Sequence, residues 1–167
     1  SSVDVAHSTL GSPTDFEGYS TVVNGGTVAV INGEGKVWTL LTSDYESFDP
    51  ETAEPVVDDA PGAVVAVGLD GSVHVASAAT AEVTSILPKG STRDISTMDL
   101  EGVTEKDSLQ VAAVGSKPVV LARESATLFL PEGHTQVLQG DLSLQESGPA
   151  SDSVLLASDD ELIAVPL

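Results

Sequence analysis

With 167 residues, 26 Asp and Glu against 6 Lys and Arg, and a formal net charge of −20, the chain repels phosphate backbones and anionic lipid, which excludes nucleic acid and membrane surfaces as expected partners. No cysteine is present, so disulfides, Cys-ligated zinc, iron–sulfur clusters and thiol nucleophiles are excluded as well. A hydrophobic fraction of 41% with one Trp, two Tyr and three Phe, broken by 15 Gly and 9 Pro, points to a domain of short Val- and Ala-rich strands rather than long helices or disorder.

In chain order, residues 3–6 and 21–23 read as short strands. Residues 27–40, "TVAVINGEGKVWTL", place two apolar runs on either side of a turn at 32–35 and predict a hairpin. The acidic stretch 42–62 holds three prolines and predicts a connection. One helical turn is expected at 49–53, because Pro50 suits the first helical position behind an Asp49 cap. Residues 63–76 repeat the hairpin, and Asp70-Gly71 predicts a type I′ turn with positive φ at both residues. Outer strands follow at 82–86 and 94–100, then a polar connection at 101–108. A third hairpin spans 109–122, where Pro118 lacks an N–H and belongs at a strand start or edge. Strands at 126–130 and 136–144 lead to a fourth hairpin at 154–165, turning at 158–161.

The first apolar residues after the four turns, Val37, Val73, Val119 and Leu162, recur about every 40 residues, which is the period of a four-stranded propeller blade. The predicted fold is therefore all-β, a β-propeller-like repeat of about four blades over residues 1–167 as a single domain, an incomplete part of a larger propeller. Tandem immunoglobulin-like sandwiches are the alternative, since about a dozen short strands would also make two such domains.

The runs "GGTVAVINGEGKVWTL", "SFDPETAEPVVDDAPGAVVAVGLDGSVHVAS" and "DSVLLASDDELIAVPL" make most of residues 20–167 resemble the propeller-like repeat region of actinobacterial cell-envelope fibronectin type III domain proteins. In that family the repeats follow an N-terminal membrane anchor and precede fibronectin type III modules. The resemblance thus implies an extracellular or cell-surface location and a membrane-anchored parent chain, of which these residues are expected to be a piece. It brings no catalytic residue with it.

Nucleophilic catalysis needs a nucleophile, a base and an orienting group. Ser72 and His74 lie two apart on one face of a predicted strand, with Asp70 in the preceding turn, but no G-x-S-x-G elbow accompanies them. A histidine that packs or faces water is expected. His7, His74 and His134 fall in different repeats without zinc-ligand spacing and are expected to be structural. Asp58 and Asp59 in "VVDDAPG" and Asp159 and Asp160 in "SDDELI" are the weak calcium candidates; they lack the D-x-[DN]-x-[DN]-G loop and read as solvated turns. "INGEGKVW" ends on the Gly and Trp of a sialidase-type Asp box, yet Ile31 and Gly33 stand where oxygen donors belong, which leaves a hairpin with Trp38 as packing anchor.

No cofactor and no enzymatic activity are expected. The predicted function is a non-catalytic extracellular or cell-envelope interaction or scaffold module that binds a protein partner through its loops. The alternative is a propeller-type carbohydrate-active hydrolase or lyase. Cut blades expose strand edges, so a homodimer through the Ser1-side or Leu167-side edge is expected.

Overall fold

Alternating Val and Ala residues on either side of Gly-containing turns build antiparallel hairpins, and the four predicted hairpins fall in four separate sheets. The computed structural model describes residues 18–145, 151–158 and 161–167. The predicted strand at 3–6 and the Ser1-side edge lie outside the described residues. β1 (Tyr19–Asn24), β2 (Thr27–Asn32) and β3 (Val37–Leu41) form the first sheet. β4 (Val64–Val67), β5 (Val73–Ser77), β6 (Glu82–Lys89) and β7 (Thr92–Asp99) form the second. β8 (Leu109–Val114), β9 (Lys117–Ala122), β10 (Thr127–Phe129) and β11 (Thr135–Val137) form the third, and β12 (Ser143–Gln145), β13 (Ser153–Ala157) and β14 (Leu162–Pro166) the fourth. Each sheet is an antiparallel meander in chain order, and none closes into a barrel.

The two-residue period of a strand sends alternate side chains to opposite faces, and the middle sheets bury both. From the second sheet, Val73, Val75 and Ile86 pack with Ala29, Ile31 and Val37 of the first. Its opposite face sends Ala76 and Val83 into a cluster with Leu109, Val120 and Ala122 of the third. The third in turn places Val119 and Leu121 against Val154, Leu156 and Val165 of the fourth. The sheets therefore stack in sequence, and their first strands form a row, β1 beside β4, β4 beside β8 and β8 beside β12. Polar ties cross these interfaces: Asn24 Nδ2 donates to the Val67 carbonyl at 2.8 Å, and Gln110 Oε1 accepts from the Leu144 N–H at 2.8 Å.

The far face of the first sheet is covered by its own connection. Trp38 is 4% exposed, packs with Val28 and Val30, and has Phe48 edge-on with ring centroids 6.2 Å apart. Its Nε1 donates to the Ala53 carbonyl at 3.0 Å, so the expected packing anchor also ties down the 42–62 stretch.

Two local expectations change. The Asp70-Gly71 pair does not form a type I′ turn: positive φ is confined to Gly71, at 87°, inside a longer loop in which the Gly68 N–H donates to Ser72 O. Asp70 escapes the left-handed region because its carboxylate accepts from Ser72 instead. The strand expected over 136–144 splits into β11 and β12 around Gly140, whose φ is 96°. At 49–53 there is one hydrogen-bonded turn, with Asp49 Oδ1 accepting from the Glu51 N–H at 3.0 Å as a cap should. A 3₁₀ helix lies earlier, at Thr42–Ser47, and buries no residue, which is why no apolar period announces it. Pro118 takes the second place of β9, opposite Ala113 and beyond the end of the β10 pairing. Among the described residues no helix is long and apolar enough to cross a membrane.

Candidate functional site

The Ser72, His74 and Asp70 constellation does not assemble. Ser72 is fully buried, yet its Oγ donates to Asp70 Oδ1 at 2.6 Å rather than to the imidazole. His74, also fully buried, stands directly opposite Ser85 on the neighbouring strand, with Nδ1 2.9 Å from Ser85 Oγ. Its Nε2 is buried without a partner. Burial pushes the imidazole down to about 4, against a smaller upward pull from Asp70. A buried histidine held neutral in this way has no solvent-facing nucleophile beside it to activate.

The other expected site residues scatter. His134 is exposed just before β11, and His7 lies outside the described residues. Asp58 and Asp59 are both exposed in the connection between the first two sheets. Asp159 and Asp160 lie outside the described residues. Among the described residues no three acidic or histidine side chains gather as a metal would need.

The structure does form a cleft of about 500 Å³ on the covered face of the first sheet. Its walls come from β1, from the β2–β3 turn and from the connection at Pro50 and Glu51. Asn32 builds the turn wall: its Oδ1 accepts from the N–H groups of Glu34 at 3.1 Å and Lys36 at 2.9 Å. One amide oxygen thus accepts both hydrogen bonds that knit the turn. Gly35 takes φ 88° there because the turn presses against the Ala60–Pro61 backbone.

Tyr19 and Trp38 form the aromatic floor, with centroids 5.9 Å apart and planes inclined at 51°. Glu51 lies 3.5 Å from the Tyr19 hydroxyl, and Glu34 lies 3.5 Å from Lys36 Nζ. Burial, then the Glu51 and Glu34 carboxylates, raise the Tyr19 phenol above its ordinary range, with Lys36 opposing them. The floor is thus flanked by two carboxylates against one lysine. Its chemistry suits a group with an apolar or planar body and donor hydrogens, and no serine, threonine or histidine is among the described residues that line it.

Sequence reading singled out Trp38 but missed Tyr19, Glu34, Lys36 and Glu51. No strand period places three of them: Glu34 and Lys36 sit in the turn ahead of β3, and Glu51 arrives from a loop. The chain matches no known protein-family model and no curated protein sequence.

Proposed function

We propose that the chain is a β-propeller-like repeat of about four blades that acts as a non-catalytic interaction module at the cell surface, binding a protein partner. The observation that carries this is the row of first strands, β1, β4, β8 and β12, each opening a meander that packs on the next. Middle sheets that bury both faces support blades over tandem immunoglobulin-like sandwiches, in which each sheet buries one face. The extracellular location rests on the resemblance to cell-envelope repeat regions alone.

The absence of chemistry is supported by how the polar groups are used: Ser72 and Asp70 bind each other, and His74 faces Ser85 inside the stack. A homodimer belongs to the same proposal. On the fourth sheet Leu162, 65% exposed, lies on the face opposite the buried Val154 and Val165, beside Ala164 and Pro166 on the edge strand β14.

The test is an assay for release of reducing ends from cell-wall and plant polysaccharides, run beside affinity capture from an envelope fraction. Saturable capture without turnover is expected. Turnover that survives repurification would replace the module with the carbohydrate-active alternative, and a monomer by light scattering at high concentration would remove the dimer.

A further inference from the structure

We propose that the cleft over Tyr19 and Trp38 receives a cationic side chain, an arginine or lysine, from the partner polypeptide. Four observations converge. The cleft is roomy enough for a guanidinium or ammonium group, at about 500 Å³. Its floor is lined by Tyr19, half-buried, beside the almost fully buried Trp38. Two exposed carboxylates, Glu34 and Glu51, flank that floor from two different segments of the chain. Lys36, the one cation among the described residues that line the cleft, already sits 3.5 Å from Glu34, where an incoming cation would compete with it.

An aromatic face with carboxylates beside it favours a cation by ring quadrupole and charge together, and guanidinium adds stacking and paired donors. Burial first, and then the Glu51 and Glu34 carboxylates, raise the Tyr19 phenol, so only part of that shift comes from the two acids. Beyond the cleft, a net charge of −20 draws cations toward the surface and speeds encounter, while the cleft supplies orientation. Anionic ligands are repelled on both scales. A neutral saccharide would use the tyrosine face but gain nothing from the two carboxylates as charges.

This deepens the partner-binding reading and rests on it, yet it fails separately: polysaccharide turnover would end that reading, whereas the cleft is tested by binding alone. The chain contains a single tryptophan, Trp38, so its fluorescence reports the cleft floor directly. The probes are acetyl-Gly-Arg-Gly-amide and its citrulline isostere, titrated into the full chain with calorimetry alongside to cover a silent fluorophore. The arginine peptide is expected to saturate and the neutral isostere not to.

Glu51→Gln is expected to weaken binding about fivefold, and Lys36→Met to tighten it about threefold by removing the competing cation. Glu105→Gln, an equal change of charge on an exposed loop outside the cleft, is expected to leave affinity within about twofold. Tightening by K36M is a response that a merely structural lysine would not give. The proposal is overturned if neither method detects arginine binding or if citrulline binds as well. It also fails if E105Q weakens binding as much as E51Q, which would mean diffuse attraction to a polyanion, or if cellotetraose saturates the cleft in place of the cation.

Discussion

His74 and Ser85 face each other across β5 and β6, Nδ1 to Oγ at 2.9 Å, while the second imidazole nitrogen is buried with no partner. Burial holds the folded-state value near 4, below the 6.5 of an exposed histidine. The unfolded chain therefore binds the proton first, so stability is complete above pH 6.5 and falls as the pH drops toward 4. The loss is about 3 kcal/mol at most from this one group. Replacing both partners, His74→Leu with Ser85→Ala, removes the titration without stranding a hydroxyl. Urea unfolding at pH 7 and pH 4.5 should show the wild type losing more stability than the double variant; equal losses would refute the role of His74.

Asn24 joins the first two sheets through its amide Nδ2 and the Val67 carbonyl. Asn24→Ala should cost about 1 kcal/mol, the worth of one net hydrogen bond. Asn24→Asp should cost more, although it is nearly isosteric, because a carboxylate has no donor and would face the carbonyl oxygen. Chemical denaturation at pH 7 ranks the two; an aspartate as mild as alanine would show that this bond does not hold the sheets together.

Gly35 and Gly33 share one turn and should respond oppositely to the same methyl group. Gly35 has φ 88°, and a Cβ there would overlap the Ala60 carbonyl carbon and Pro61 nitrogen, whereas a Cβ on Gly33 meets nothing within 4 Å. Gly35→Ala should destabilise by about 2 kcal/mol or more, combining left-handed strain with displacement of the neighbouring backbone. Gly33→Ala should stay within about 0.5 kcal/mol of wild type. Thermal melts of the pair make the comparison.

Strand content was legible because Val and Ala alternate through the long hairpins, and the fourfold spacing of Val37, Val73, Val119 and Leu162 marks one hairpin in each sheet. Where a side chain rather than a period decides the backbone, the reading failed. Asp70 turns a short hairpin into a longer loop by accepting from Ser72, and Gly140 interrupts what reads as one strand. The cleft was less legible still. Trp38 could be read as an anchor, but Tyr19 reaches it through β1–β2 pairing and Glu51 through a loop docked by Trp38 itself. Those are tertiary relationships with no local letter pattern.

That docking gives the last test, because Trp38 acts on the cleft through two separable contacts. Its indole N–H holds the Ala53 carbonyl, and its ring packs between Val28, Val30, Tyr19 and Phe48. Trp38→Phe keeps an aromatic ring and strands one carbonyl, so it should cost about 1 kcal/mol. Trp38→Ala empties the cluster and should cost about 3 to 5 kcal/mol. Amide hydrogen exchange distinguishes local from global loss: W38F should speed exchange at Thr52 and Ala53, whose N–H groups bond to Asp49 O, and leave the β5 amides protected. If β5 loosens equally, the connection is part of the cooperative core and the cleft wall cannot move without it.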